Sequence, residues 1–135
     1  MLVDTPFNNI TRDIIGAAIE VHRVLGPGLL ESTYARCLQF EMAARKLRFV
    51  SERAVPIVYK GHPLDSNYRI DLIVEDAVVV EVKSVEVLLR VHQSQVLTYM
   101  SLTSCPAGLV INFNVQRLVD GVKRLINTRA EPKAT

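Results

Sequence analysis

The stretch Tyr68-Arg69-Ile70-Asp71-Leu72-Ile73-Val74-Glu75-Asp76-Ala77-Val78-Val79-Val80-Glu81-Val82-Lys83 decides the fold. Two β-rich runs, 68–74 and 78–85, flank a short acidic turn at Glu75 and Asp76, which is the pattern of an antiparallel hairpin. Three charged residues, Asp71, Glu81 and Lys83, stand inside these apolar runs. Alternation along a strand puts Glu81 and Lys83 on one face with Val79, and Val78, Val80 and Val82 on the other. Whether Asp71 meets Glu81 depends on the turn. A two-residue loop pairing Val74 with Ala77 sets them on opposite faces, and a three-residue loop pairing Val74 with Val78 sets Asp71 across from Glu81. The chemistry predicts the odd loop, or a bulge of equal effect.

Two carboxylates facing each other at ~5 Å across a sheet repel unless something positive sits between them. A divalent cation resolves that conflict. Hard oxygen donors suit Mg²⁺ or Mn²⁺, with water and a substrate phosphate filling the remaining positions and the Val82 carbonyl as a further ligand. Such a site is fitted to phosphodiester hydrolysis, with Lys83 placed to orient the attacking water and offset developing negative charge. Spacing alone leaves a second reading open, in which Glu81 and Lys83 form a half-exposed ion pair and Asp71 is an edge charge. A D-x9-E-x-K pattern is short and common.

Outward from the hairpin, Ile10, Ile14, Ala17, Val21 and Leu25 form a helical stripe over about 9–25, stopped by Gly26-Pro27. A second stripe, Leu30, Tyr34, Leu38 and Met42, begins after Gly28 and fades near Lys46. Val55, Ile57 and Tyr59 predict a strand broken at Gly61-His62-Pro63, with Pro56 marking an edge or a bulge. Helical spacing returns over 87–103, ahead of an apolar strand from Gly108 to Phe113. Leu118–Val122 reads as a hairpin turn or the start of a short helix, with extended structure favoured, ahead of a fraying polar tail from Asn127 to Thr135. Tyr59 and Tyr68 read as core residues, and Asn112 and Asn114 as caps or turns at a strand end.

With 135 residues, 49% hydrophobic and 22% charged, and a mean hydropathy of +0.20, the chain reads as one globular α/β domain: a central mixed sheet flanked by helices, ordered over about 9–127. This composition excludes collagen-like, disordered and strongly charged classes. No apolar stretch approaches the ~18 to 20 residues that span a bilayer, and Met1 to Asn9 lack the pattern of a secretory leader, so a cytoplasmic protein with no membrane partner is expected. Cys37 and Cys105 have no CxxC spacing and no nearby His, which argues against a disulfide scaffold or a structural zinc site. Sixteen basic against fourteen acidic residues are too balanced to mark a polyanion binder by charge alone.

Other residues join the candidate site. Glu31 lies in the first turn of the second helix, where the dipole favours an ionised carboxylate, and is either a further acid for the metal or simple dipole complementarity. Gln95 and Tyr99 are i, i+4 neighbours with His92 three residues earlier, a polar stripe on an otherwise apolar helix. His92 is a candidate for reaching a phosphate or a metal-bound water, or a surface histidine. Arg69 is a candidate phosphate contact, or a partner of Asp71 or Glu52.

Gly28-Leu29-Leu30-Glu31-Ser32-Thr33-Tyr34, the helix carrying 14–22, Tyr68 to Leu72, and Asn112-Phe113-Asn114 together resemble the GxxExxY proteins of the PD-(D/E)XK nuclease superfamily, over about residues 9–127. The resemblance implies a restriction-endonuclease-like core, with Asp71, Glu81 and Lys83 binding metal and activating water, and Glu31 as the outer acid. It also matches Gln95 and Tyr99 to the Q-x-x-x-Y element of the RecB and λ-exonuclease-like branch, with Gln95 supporting the active site. Ile70 stands where the superfamily's name has proline. The expected function is therefore Mg²⁺- or Mn²⁺-dependent cleavage of DNA or RNA. Its rivals are a non-catalytic module that docks nucleic acid or a protein, and a small-substrate phosphodiesterase. With 6% aromatics and little excess charge, the chain leaves room for a second copy or a protein partner to help hold a duplex.

Overall fold

The computed structural model describes residues 6–127. Helices α1 (Pro6–Leu25) and α2 (Glu31–Ala44) are followed by strands β1 (Phe49–Tyr59), β2 (His62–Val74) and β3 (Val78–Lys83). Helix α3 (Arg90–Thr103) then leads to β4 (Ala107–Asn112), a 3-10 turn at Leu118–Gly121 and β5 (Val122–Ile126). The five strands form one sheet in the order β1-β2-β3-β4-β5. Only β3 and β4 are parallel; the other neighbours are antiparallel. That parallel pair needs a crossover, and α3 supplies it.

Each face of the sheet is covered. Ile14, Ala17, Ala18 and Val21 of α1 and Tyr34, Leu38 and Met42 of α2 pack with Leu72, Val74, Val78, Val80 and Val82. On the other side Val96, Tyr99 and Met100 of α3 pack with Ile70, Ile73, Val79 and Val110. Burial on both faces is why β3 and β4 read as nearly unbroken apolar runs. Gly108 lets α3 approach β4: a Cβ there would lie 2.6 Å from Val96 Cγ1 and 2.7 Å from Met100 Sδ.

The turn between α1 and α2 uses Gly26 and Gly28 at positive φ and is closed by Tyr34. The Tyr34 hydroxyl donates to the Gly26 carbonyl at 2.5 Å and accepts the Leu29 N–H at 3.1 Å. Its ring stacks on Phe113, with centroids 4.5 Å apart. This phenol is a structural tie between the helical turn and the end of β4.

Several boundaries differ from expectation. Helix α1 begins at Pro6, which is tolerated in a first turn because its missing N–H has no partner there anyway. Gly61-His62-Pro63 does not end the strand region: Lys60 and Gly61, both at positive φ, make a tight turn and β2 starts at His62. Pro56 lies on edge strand β1 beside a register shift between Pro56 and Val58, so both its expected roles are met. Helix α3 starts at Arg90, because residues 84–89 form a loop with its own hydrogen-bond partners. Leu118–Gly121 is a 3-10 turn instead of extended chain; a Gly121 Cβ would lie 2.1 Å from the Asn112 carbonyl, so this turn packs directly on β4. Tyr59, expected in the core, is 61% exposed near the tip of the β1–β2 hairpin, while Tyr68 is half-buried edge-on to Tyr99. Cys37 and Cys105 are both free, half-buried and buried. Most of the expected tail, 128–135, lies outside the described residues. Among the described residues no helix is long and apolar enough to cross a membrane.

Gly108→Ala is expected to cost about 1–3 kcal/mol, since Val96 and Met100 must shift. Urea denaturation would show it as a lower midpoint with an unchanged slope.

Candidate active site

The β2–β3 turn is the odd loop. Leu72 pairs with Val80, Ile73 with Val79 and Val74 with Val78, leaving Glu75, Asp76 and Ala77 in the loop. Continued one step, this register sets Asp71 opposite Glu81. There the backbone ladder gives way to side chains. The Asp71 N–H donates to Glu81 Oε1 at 3.0 Å, and the Val82 N–H donates to Asp71 Oδ2 at 2.9 Å. Each carboxylate thus spends one oxygen on the backbone of the opposite strand, and the two carboxyls are also hydrogen-bonded to each other.

The pair is poorly solvated. Glu81 is only 4% exposed and Asp71 is half-buried. Burial, and then the charge of Asp71, push the Glu81 carboxyl up to about 8. Asp71 is also raised by burial, against the lowering effect of the Val82 N–H, and Lys83 and Glu31 lie near enough to act on it electrostatically. Without a cation the pair therefore tends to keep a proton on Glu81 at neutral pH.

Lys83 is half-buried at the end of β3. Its carbonyl accepts the Phe113 N–H from the chain just after β4, at 2.9 Å. Carbonyls alternate in direction along a strand, so that of Val82 points toward β2, the side on which Asp71 stands. Glu31 reaches the same strand end from α2: the Ser84 N–H donates to Glu31 Oε2 at 3.2 Å and Ser84 Oγ donates to the Leu29 carbonyl at 2.6 Å. Asp71, Glu81, the Val82 carbonyl, Lys83 and Glu31 thus converge at the C-terminal end of the central strand β3.

The remaining candidates are more dispersed. Gln95 is exposed on α3 and its Nε2 donates to the Tyr99 hydroxyl at 3.0 Å. Tyr99 is buried and senses the acidic pair: its phenol is raised first by burial and then by the charge of Glu81. His92 caps α3, its Nδ1 accepting the Leu89 N–H at 3.1 Å. Arg69 is exposed, and its guanidinium lies 4.0 Å from the exposed Glu52 carboxylate.

Two features escape a sequence reading. The first is the reach of Asn112, which is buried and clamps Val85 from both sides. Its Oδ1 accepts the Val85 N–H at 3.0 Å and its Nδ2 donates to the Val85 carbonyl at 2.9 Å. A strand-end Asn reads as a local cap, and nothing in the spacing signals a partner 27 residues away. The second is a cleft of about 700 Å³ between α2 and the β1–β2 strands, into which Asp71 faces together with Glu31, Ser32, Arg36, Gln39 and Glu52. In sequence these α2 residues look like an ordinary solvated helix face.

Among the described residues no three His, Cys, Asp or Glu side chains are gathered as a metal-holding group. What the site offers is two carboxylates and a backbone carbonyl, all hard oxygen donors beside a buried like-charge conflict. That set fits Mg²⁺ or Mn²⁺, which one or two carboxylates hold while water and substrate phosphate complete the shell.

No curated protein and no solved structure matches this chain. A family model described as the PD-(D/E)XK nuclease superfamily matches residues 8–125, which take in almost all of α1 through β5. The five-stranded mixed sheet with helices on both faces is consistent with the restriction-endonuclease-like fold of that superfamily. On the extent of that match, the chain belongs to the PD-(D/E)XK nuclease superfamily.

Proposed function

We propose that this protein is a divalent-metal-dependent nuclease that hydrolyses phosphodiester bonds of DNA or RNA in the cytoplasm. The observation that carries this reading is the buried Asp71–Glu81 pair at the end of β3, with Lys83 two residues after Glu81 on the same strand. Asp71, Glu81 and the Val82 carbonyl would hold Mg²⁺ or Mn²⁺. Once bound, the ion supplies a more acidic water and stabilises charge developing on phosphorus. Lys83 orients the attacking water and offsets that charge as it grows. Glu31, held by the Ser84 N–H, is the outer carboxylate at the mouth of the site. Gln95 supports the acidic pair through Tyr99, while Arg69 and the free Nε2 of His92 contact the nucleic acid.

The narrower kinship with GxxExxY proteins rests on Gly28, Glu31 and Tyr34, and that with the RecB and λ-exonuclease-like branch on Gln95 and Tyr99. Here Gly28 and Tyr34 build the turn that presents Glu31. For a cleft of about 700 Å³, holding a duplex would call for a second copy or a protein partner.

In a cleavage assay with Mg²⁺ on labelled DNA and RNA, Asp71→Asn and Lys83→Ala are each expected to lower the rate by about 100-fold or more with circular dichroism unchanged. Wild-type rates in both variants would overturn the nuclease reading. Calorimetric titration of Mg²⁺ is expected to show binding in the wild type that Asp71→Asn loses. Salt-dependent binding without turnover in the wild type would instead identify a docking module.

A pH dependence follows from the acidic pair. Glu81 stands at about 8 in the folded protein against an ordinary value of 4.5. Between these values the folded state binds more protons than the unfolded one, so stability falls as pH rises. Without metal, the wild-type Tm is expected to be highest near the lower value and to drop as pH rises through the upper one, with Glu81→Gln flattening the slope. A Glu81→Gln profile as steep as wild type would show that the pair is not the source.

A further inference from the structure

The cleft beside Asp71 opens onto α2, whereas the substrate contacts read from sequence lie on α3 and at Arg69. Ser32, Arg36 and Gln39 occupy i, i+4 and i+7 of α2, so they make one ridge along the cleft wall. The inward face of the helix is a different stripe, Tyr34, Leu38 and Met42. The ridge consists of a hydroxyl, a guanidinium and an amide, all able to donate hydrogen bonds to phosphate oxygens. None of the three finds a side-chain partner among the described residues, and Arg36 is in no ion pair there. One turn beyond Arg36, Phe40 is 74% exposed. An exposed aromatic next to an unpaired arginine is a combination suited to an unstacked base and its phosphate.

On the nuclease reading above, we infer that this cleft is the track for a single nucleic-acid strand flanking the scissile phosphate. Arg36 contacts the backbone phosphate next to the one cleaved, Ser32 and Gln39 hydrogen-bond along the same strand, and Phe40 stacks a base at its far end. The volume is that of a site for a small ligand, which fits one strand and is too small for a duplex. Seven residues of helix span roughly 10 Å, enough for a short run of backbone and too little for an extended footprint. Three carboxylates line the cleft: Glu31 and Asp71 at the near end are the groups that a cation would offset, and Glu52 has the Arg69 guanidinium 4.0 Å away. Arg36 supplies positive charge one turn farther along, where the strand continues.

The test is equilibrium binding of a short fluorescein-labelled single strand by anisotropy across a salt series, with Ca²⁺ in place of Mg²⁺, and cleavage measured separately with Mg²⁺. Arg36→Ala is expected to weaken binding about tenfold and to reduce the slope of log affinity against log salt by about 0.7, the signature of one lost phosphate contact on a single strand. Arg36→Lys keeps the slope. Phe40→Ala weakens binding about tenfold without changing the slope, and Phe40→Trp restores it. Arg117→Ala, an exposed arginine outside the cleft, changes neither. Affinity and slope unchanged in Arg36→Ala, or tighter binding of a blunt duplex than of the single strand, would overturn the track even if the wild type cleaves. A wild type that binds as described and never cleaves would overturn the nuclease reading while supporting the track.

Discussion

The register between β2 and β3 is the constraint on which the site depends. With three residues in the turn, Asp71 and Glu81 come to the same level of the sheet, and two partly desolvated carboxylates must coexist there. The fold offsets part of that conflict with backbone. The ladder stops at Leu72–Val80, and each acid takes up an N–H of the opposite strand. A one-residue slip would put the two carboxylates on opposite faces of the sheet and take from those N–H groups their present partners. The same exchange marks where the hairpin leaves the sheet, since β1 and β2 run on past β3 as a two-stranded ribbon.

Around that point, buried polar ties hold segments that have no regular structure. The loop after Lys83 cannot satisfy its backbone within a helix or strand, and buried N–H and C=O groups must be paired somewhere. Asn112 provides both partners for Val85, and Glu31 accepts the Ser84 N–H. Ser84 returns the link by donating to Leu29, whose own N–H bonds Tyr34. Tyr34 stacks on Phe113, which in turn donates its N–H to Lys83. The first turn of α2, the end of β3 and the end of β4 are thereby joined in one circuit. This explains how Glu31, fifty residues from Glu81 in sequence, reaches the same end of β3.

Much of this was legible beforehand, for definite reasons. Apolar periodicity marked the helices, and charges embedded in Val-rich runs marked Asp71, Glu81 and Lys83, because strand alternation is strict. The argument from carboxylate repulsion even chose between two turn lengths. Signals failed where partners were remote or local propensity was ambiguous. Arg90 begins α3 later than its periodicity suggests because the preceding loop is held elsewhere, Val85 by Asn112 of β4 and Ser84 by Glu31 and Leu29. Leu118–Gly121 winds into a 3-10 turn against the Asn112 carbonyl, a packing constraint with no trace in its own residues. Tyr59 looked like core and is exposed because the hairpin arm extends beyond the layers that would bury it.

The amino-acid sequence by itself determined the two N-terminal helices, the β2–β3 hairpin with its register and the identity of the acidic pair, since each follows from period, turn length and charge within a short window. Tertiary structure decided which helix face borders Asp71, and that Asn112 and Ser84 bind the loops about the site. Those outcomes depend on how the layers stack across dozens of residues, and side-chain spacing in one dimension carries no information about that distance.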